Sequence, residues 1–208
     1  MRAFSDRTDA GRRLVEPVDA VLPAGPVTVV ALPRGGVVVG AALVEGLRAA
    51  GRDARLDLVV VAKVLAPEHP ELALGAVTAH ATVRSPAWID DERYADLLAA
   101  ARRRLADRAA TLPAPRRSAD GLALLVDDGL ATGATAEAAI AELRVTGAPW
   151  VGLAVPVADA SAWRRVGAQV DASVTVLQRS PMQAVSVDYR DFAQLDDAVV
   201  LAALARYH

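Results

Sequence analysis

The chain has 208 residues, a length that fits one α/β domain, and it is 53% hydrophobic but only 4% aromatic. A core built mainly of Ala, Val and Leu favours sheet strands flanked by helices over a β-sandwich, which usually contains more aromatic residues. The net charge of −2 and the mixing of acids and bases exclude a strongly basic surface, so we expect no nucleic-acid partner. The absence of cysteine excludes disulfides, thiolate nucleophiles and cysteine-based metal sites.

Neither a secretion signal nor a membrane span is visible in the sequence. The first 13 residues are charged and lack the apolar stretch of a signal peptide. No apolar run reaches the roughly 18–20 residues that cross a bilayer. We therefore expect a soluble protein without a membrane partner, and a cytoplasmic location is compatible with these features.

Short buried runs alternate with helical segments along the chain. The sequence predicts helices over 5–15, 37–51, 88–112, 134–147, 161–167 and 195–206. It predicts strands over 26–32, 56–62, 122–126, 150–157 and 172–178, with shorter strand-like pieces around Gly75. This alternation indicates βαβ units, and hence a doubly wound, mostly parallel sheet of about five strands in a single domain covering 1–208. Such sheets bind ligands at the carboxyl ends of their strands, where the loops 33–36, 63–71 and 127–135 have unusual compositions.

The segment 122–135 carries the strongest functional signal. A buried run ends in two adjacent acids, Asp127 and Asp128, and a turn rich in Gly and Thr then opens a helix. Such a turn directs backbone N–H groups and hydroxyls at one point, and the helix dipole adds positive potential that suits a phosphate. The carboxylates upstream can accept hydrogen bonds from vicinal hydroxyls. The pattern therefore indicates a receptor for ribose 5-phosphate; the alternative is a structural turn in which the Asp pair caps the helix.

This segment resembles the phosphoribosyl pyrophosphate motif of type I phosphoribosyltransferases: an apolar strand, two acids, two apolar residues, then small-Thr-Gly-x-Thr. The resemblance implies that Asp127 and Asp128 bind the ribose 2′- and 3′-hydroxyls. It also implies a 5′-phosphate loop made of Ala131, Thr132, Gly133, Ala134 and Thr135. Two positions depart from the commonest pattern. Gly129 stands where a branched aliphatic residue is usual, and Ala131 stands where purine-salvage members carry an Asp that meets the base, which weakens an assignment to hypoxanthine or guanine.

The loop Pro33-Arg34-Gly35-Gly36 resembles the family's pyrophosphate loop. Glycines let a backbone approach an anion closely, and an arginine offers a charged fork that matches phosphate oxygens. The resemblance therefore implies that Arg34, Gly35 and Gly36 bind pyrophosphate. The alternative is a tight turn with an exposed arginine.

Lys63 is the only lysine among 23 lysines and arginines, and it follows the predicted strand 56–62. An ammonium and a guanidinium differ in size, hydration and reach, so a single retained lysine beside a polyanion site suggests a specific contact with pyrophosphate. The alternative is chance survival of a harmless residue. The next segment lies where the family places a mobile catalytic loop that excludes water, and His69 and Glu71 are candidate participants.

Further motifs extend the resemblance over about residues 4–200: FSDRTDAG, LPRGGV, APEHPELALGA and AVSVDYRDF. Together they are similar to a subgroup of phosphoribosyltransferases whose acceptor is unassigned. The resemblance implies transfer of the 5-phosphoribosyl group from phosphoribosyl pyrophosphate to a nitrogenous small molecule, with a nucleobase as the expected acceptor. The implied catalytic set is Asp127, Asp128, Lys63 and Arg34. The implied cofactor is Mg²⁺, bound through substrate oxygens rather than by a dedicated protein site.

The same resemblance implies a homodimer and a small hood over the acceptor. The hood candidates are residues 1–20 and 179–194, in which Tyr189 and Phe192 either stack on a planar acceptor or close a small core. Two alternative functions use the same sugar-phosphate site. One is a non-catalytic sensor of phosphoribosyl pyrophosphate or a nucleotide with a regulatory role, and the other is hydrolysis or pyrophosphorolysis of a phosphorylated nucleoside.

Overall fold

The described residues form eight strands in two sheets. The computed structural model describes residues 2–85, 90–114 and 121–207, and the backbone alone of residues 69–72. The strands are β1 (Val27–Ala31), β2 (Ala54–Leu58), β3 (Ala62–Ala66), β4 (His69–Val77), β5 (Thr82–Arg84), β6 (Leu122–Val126), β7 (Trp150–Asp159) and β8 (Ala172–Arg179). The main sheet has the order β2-β1-β6-β7-β8, and all neighbouring strands in it are parallel. This confirms the predicted α/β class and the mostly parallel sheet of about five strands.

Helices cover both faces of the main sheet. The helices are α1 (Arg7–Asp19), α2 (Gly35–Ala49), α3 (Asp91–Ala110), α4 (Ala134–Val145), α5 (Ala160–Gly167) and α6 (Asp197–Tyr207). One core lies between the sheet and α1, α2 and α6, and a second lies between the opposite face and α4 and α5. The central strands β1 and β6 are almost wholly buried, which explains why their sequences are continuous apolar runs.

The segment between β2 and α3 forms a separate antiparallel sheet in the order β3-β4-β5, which packs against α3. The sequence predicts one strand over 56–62 followed by a loop over 63–71, and both expectations are wrong. The main-sheet strand ends at Leu58, and β3 and β4 form a hairpin whose turn is at 67–68. The misreading has a physical cause: the β-branched residues 59–61 favour extended backbone beyond the last paired residue, so the two strands look like one.

The remaining predicted elements differ from the structure mainly at their ends. Helix α1 begins after Asp6, whose carboxylate accepts a hydrogen bond from the Asp9 amide at 2.8 Å, as expected of a cap. Helix α2 begins two residues earlier than predicted, at Gly35. The predicted helix from Trp88 is described from Asp91, and residues 86–89 and 115–120 lie outside the described part, as do the side chains at 69–72. No helix in the described ranges is both long and apolar enough to cross a membrane.

Two glycines bring α1 and α2 close together. A Cβ added to Gly11 would lie 2.4 Å from the Val39 carbonyl oxygen, and one added to Gly46 would lie 2.3 Å from Val15 Cγ2. Because the contacts advance in the same direction along both helices, α1 and α2 run in parallel and begin at the same edge of the main sheet. The first turn of α1, which carries Arg7, therefore lies beside the first turn of α2.

Candidate active site

The loops that follow β1 and β6 meet at the carboxyl edge of the main sheet. These neighbouring strands lead into helices on opposite faces, α2 and α4, so the edge between them is the switch point where doubly wound sheets bind ligands. The two loops touch: a Cβ added to Gly35 would lie 1.8 Å from Asp128 Oδ2, and one added to Gly36 would lie 2.9 Å from the Cα of Asp127. Glycine at both positions is what lets the predicted pyrophosphate loop lie against the predicted acid pair.

The two acids have different partners. Asp127 Oδ1 accepts a hydrogen bond from the backbone N–H of Asp128 at 2.8 Å. Asp128 Oδ2 accepts from Arg7 Nε at 2.8 Å, and the Tyr189 hydroxyl donates to the Asp128 carbonyl oxygen at 2.6 Å. Burial, and after it the neighbouring Asp128 charge, raises the pKa of Asp127 well above its usual range. Burial also raises the pKa of Asp128, while Arg7 opposes that rise.

Helix α4 begins with hydrogen-bond donors that have no partner among the described residues. Within the described part of the chain, the backbone N–H groups of 131–135 and the hydroxyls of Thr132 and Thr135 donate to no acceptor. The cap residue is Gly133, at φ +82°, and no side chain caps the helix. The Asp pair is therefore not a helix cap, which was the structural alternative. Free amides at a helix N-terminus form a receptor for an anion.

A cavity of about 170 Å³ joins these features. Its lining consists of Lys63, Asp127, Gly129, Leu130, Ala131, Thr132, Gly133, Thr135, Ala136 and Val185. Larger cavities of about 410 Å³ beside Arg179 and about 340 Å³ beneath α3 contain none of the predicted site residues in their described linings. The smaller cavity therefore combines the hydrogen-bond donors of 131–135 with the partly buried carboxylate of Asp127 in one lining.

Known proteins resemble this chain in both sequence and fold. The profile of the phosphoribosyl transferase domain matches residues 6–190. A Mycobacterium tuberculosis protein provisionally named a phosphoribosyl transferase is 38% identical over an alignment of 224 residues, which covers 100% of this chain and 48% of that protein. The crystal structure of TT1426 from Thermus thermophilus is 36% identical with a TM-score of 0.79, covering 100% of this chain and 99% of that one. The chain belongs to the phosphoribosyl transferase domain family.

More distant structures share the fold of this phosphoribosyl transferase domain. A hypoxanthine phosphoribosyltransferase from Staphylococcus aureus is 11% identical with a TM-score of 0.55, covering 92% of this chain and 85% of that one. This likeness confirms the type I phosphoribosyltransferase fold, and no acceptor follows from it. The chain spans about half the length of the curated relatives it matches. The acceptor of the domain is unassigned.

The structure accounts for one departure from the family pattern. Gly129 replaces the branched aliphatic residue that usually follows the acid pair. A Cβ added to Gly129 would lie 2.5 Å from Cγ1 of Val185, which comes from the short 3₁₀ turn Val185–Asp188. Val185 also lines the cavity, so a side chain from the C-terminal segment occupies the space beside the acid pair that a residue at 129 would fill.

Lys63 lines the cavity, whereas Arg34 is not in its described lining. Lys63 is exposed within β3, not at the end of a main-sheet strand, because the chain leaves that sheet at Leu58. It nevertheless lines the cavity, and its charge lowers the pKa of Asp127. Arg34 does not belong to the described lining: its Nε donates to Asp197 Oδ1 at 3.0 Å and its Nη1 to the Leu195 carbonyl at 2.9 Å. The pyrophosphate role of both residues stays a prediction.

Sequence reasoning missed two arginines that touch the site. Arg7 bonds Asp128, and Arg165, on α5, donates from Nε to Glu137 at 2.9 Å and from Nη2 to the Thr132 carbonyl oxygen. Arg7 lies in the motif FSDRTDAG, which carried part of the family resemblance but suggested no role, because an arginine in a first helical turn is usually solvated. No local signal marks Arg165, since its partners lie 28 and 33 residues away.

The candidate hood segments form a small core. Tyr189 is 1% exposed, and its ring centroid lies 5.3 Å from that of Phe4 and 5.0 Å from that of Phe192. Phe4 also pairs with Tyr189 in an isolated β-bridge. The Tyr189 ring therefore packs between the two segments. Of the two predicted alternatives, it closes a small core rather than stacking on an acceptor.

Proposed function

We propose that this domain transfers the 5-phosphoribosyl group of phosphoribosyl pyrophosphate to a ring nitrogen of a nucleobase-like small molecule and releases pyrophosphate. The observation that carries the proposal is the polarity of the cavity. The cavity is lined by residues 131–135, whose N–H groups donate to no acceptor within the described residues, and by the partly buried Asp127, with Asp128 next to it in the chain. A 5′-phosphate accepts hydrogen bonds and a ribose diol donates them, so each end of ribose 5-phosphate meets complementary groups.

The transfer breaks one bond and forms one. The bond from C1 of the ribose to the pyrophosphate oxygen breaks, and its electron pair leaves with pyrophosphate. A bond forms between C1 and the acceptor nitrogen, which loses its proton to solvent or to the departing pyrophosphate. In this proposal Asp127 and Asp128 hold the ribose through its hydroxyls, while Lys63 supplies positive charge from β3. The protein contributes orientation and charge stabilisation.

Pyrophosphate would bind at the loop after β1. The backbone N–H groups of Gly35 and Gly36 donate to no acceptor within the described residues, and both glycines lie against the acid pair. An anion bound there would lie next to the ribose hydroxyls held by Asp127 and Asp128. Arg34 would have to leave Asp197 to join it, since the two form an ion pair at 3.0 Å.

Magnesium fits this arrangement as a cation carried by the substrate. The described residues contain no group of three or more His, Asp or Glu side chains that could hold a metal ion, and one oxygen of Asp128 is already bonded to Arg7. Magnesium retains several waters and is commonly bound through substrate phosphates. A magnesium ion carried in with the substrate beside Asp127 and Asp128 would neutralise charge on the leaving group.

The acceptor is proposed at the level of its class. Ala131 lines the cavity where purine-salvage members carry an Asp that meets the base, and a methyl group cannot accept a proton or a hydrogen bond. We therefore propose a nucleobase-like nitrogen acceptor that needs no carboxylate at this position. This favours acceptors other than hypoxanthine and guanine.

Binding and turnover of phosphoribosyl pyrophosphate test the proposal. Calorimetry with Mg²⁺ should detect binding to the wild-type protein, and Asp128→Asn should weaken it roughly 10- to 150-fold, because hydrogen bonds to charged groups contribute about 1.5–3 kcal/mol. Incubation with a panel of nitrogenous acceptors should release pyrophosphate with at least one of them. Absence of binding would contradict the proposal. Binding without release would favour the regulatory sensor, and release without any acceptor would favour hydrolysis.

A further inference from the structure

Arg7 connects the N-terminal segment to the proposed ribose site. We infer that Arg7 is a positioning residue: together with Tyr189 it holds Asp128 so that the second carboxylate oxygen faces the ribose hydroxyls. This inference rests on the proposed function, because it assigns the determinants of that same site. It adds two residues from the chain's terminal segments to a site otherwise built from the loops after β1 and β6.

The guanidinium of Arg7 is fixed by contacts on several sides. Its side chain is only 11% exposed. Besides the bond to Asp128, Nη1 donates to the Ala193 carbonyl at 3.0 Å, and the guanidinium lies 3.7 Å from the centroid of the Phe192 ring. A Cβ added to Gly35 would lie 2.8 Å from Nε. An arginine confined by a carboxylate, a carbonyl, an aromatic face and a backbone loop has one defined orientation, and so does its carboxylate partner.

Tyr189 restrains the backbone of the same acid. Its hydroxyl donates to the Asp128 carbonyl oxygen at 2.6 Å, and its ring is packed against Phe4. Asp128 is thus held through its side chain by a residue 121 positions away and through its backbone by one 61 positions away. The described contacts give Asp127 no comparable restraint from a distant segment; its carboxylate accepts from the neighbouring amide.

Removing the Arg7 contact should change how Asp128 presents its oxygens. The Asp128 side chain is 17% exposed, so water replaces the lost partner only in part. The carboxylate would then rotate towards solvent or towards the N–H groups of the loop after β1. Either change moves the remaining oxygen away from the position where a ribose hydroxyl donates, and a displacement of about 1 Å can cost ~10²-fold when geometry matters.

The first experiment compares two arginines of the same helix. Arg7→Gln should weaken binding of phosphoribosyl pyrophosphate with Mg²⁺ by about 10- to 100-fold in calorimetry, the range expected for loss of a charged hydrogen bond. Arg13→Gln removes the same charge from an exposed side chain paired with Asp9, and it should bind like wild type. Arg7→Lys keeps the positive charge but lacks the planar guanidinium, so its affinity should lie between those of Arg7→Gln and wild type. Melting temperatures establish that each variant is folded.

A double-mutant cycle separates positioning from direct contact. If Arg7 acts through Asp128, the variant carrying both Arg7→Gln and Asp128→Asn should bind no more weakly than Asp128→Asn alone. Additive losses would overturn the inference, because they would mean that Arg7 acts independently of Asp128. Tyr189→Phe removes the hydroxyl and keeps the ring, and it should weaken binding by about 2- to 10-fold, the range of one net hydrogen bond.

The possible failures are distinguishable. Wild-type protein that does not bind phosphoribosyl pyrophosphate would overturn the proposed function and this inference with it. Wild-type binding together with equal affinity in Arg7→Gln would overturn this inference alone. If Arg7→Gln does not fold, Arg7→Lys and Tyr189→Phe carry the test, and wild-type affinity in both would overturn the inference.

Discussion

The loop 131–135 and the acid pair differ in how the protein satisfies their polar groups. Residues 131–135, the proposed phosphate loop, present N–H groups that have no acceptor among the described residues, and Ala131 and Thr132 are exposed. At the acid pair, the carboxylates are largely buried, and Asp128 is already bonded to Arg7 and Tyr189. Within the described residues the loop has donors without acceptors, whereas the acid pair has acceptors that the protein partly satisfies itself.

This difference follows from the cost of burying polar groups. Where water reaches the amides of the loop, as at the exposed Ala131 and Thr132, it can hydrate them until an anion replaces it, so these amides need no internal partner. A buried carboxylate without a partner is far less favourable, so the fold supplies partners from distant segments. Asp127 is compensated least, and the raised pKa of its carboxyl is the consequence. The proposed phosphate loop is therefore a product of local sequence, whereas the acid pair depends on tertiary contacts.

The largest effect should come from separating the two loops that meet at the acid pair. Gly35→Ala places a Cβ 1.8 Å from Asp128 Oδ2, so the loop or the carboxylate must move. Affinity for phosphoribosyl pyrophosphate should fall about 100-fold or more, as expected when reacting groups are displaced by about 1 Å. Gly121→Ala is the matched control, because its Cβ would lie 3.6 Å from the nearest atom, in ordinary contact. Wild-type affinity in Gly35→Ala would show that the contact is irrelevant to binding.

A smaller loss of affinity should come from alanine at Gly133, and the same change at Gly147 shows how much of it is due to backbone strain alone. Gly133 and Gly147 flank α4 with φ of +82° and +89°, so alanine at either position should destabilise the protein by about 1 kcal/mol. The Cβ at Gly133 would also meet Val166 Cγ2 at 2.7 Å, whereas nothing lies within 4 Å of the one at Gly147. Gly133→Ala alone should weaken binding of ribose 5-phosphate, about 10-fold, because it displaces one of the donor amides. Equal affinities in the two variants would contradict the assignment of this loop.

Lys63→Arg should give a still smaller change. Lys63 is exposed, so the melting temperature should be unchanged, while pyrophosphate affinity should fall about 2- to 10-fold if the compact ammonium makes a specific contact. Calorimetry with pyrophosphate and with ribose 5-phosphate, measured separately, would establish which phosphate group the lysine serves. Unchanged affinity for both would mean that the single lysine is an accident of composition.

The last effect is on stability rather than on binding. Because the folded pKa of Asp127 is raised, the native state holds its proton more tightly than the unfolded state. Wild-type stability should therefore fall as pH rises from the usual carboxyl value of 3.8 through the folded pKa. Asp127→Asn removes that dependence and should raise the free energy of unfolding and the Tm at pH 7 relative to wild type. Urea denaturation between pH 4 and pH 8 measures the difference, and a larger difference at low pH would contradict the sign.

The sequence predicts well what depends on local pattern. The buried runs of β1 and β6, the acid pair and the turn before α4 are contiguous in the chain, so periodicity and motif locate them within a few residues. The hairpin of β3 and β4 was missed because the β-branched residues 59–61 hide the point where the chain leaves the main sheet. Arg7 and Tyr189 could not be assigned, because their contacts with Asp128 span 121 and 61 residues and leave no periodic trace.

The most direct test of the account is a crystal structure of the protein with ribose 5-phosphate and Mg²⁺. The phosphate oxygens should lie about 2.7–3.2 Å from the backbone nitrogens of 131–135, and the 2′- and 3′-hydroxyls should donate to Asp127 and to the second oxygen of Asp128. Arg7 should remain bonded to Asp128 in that complex. A sugar phosphate bound in another cavity, or a phosphate held without the amides of 131–135, would contradict the account.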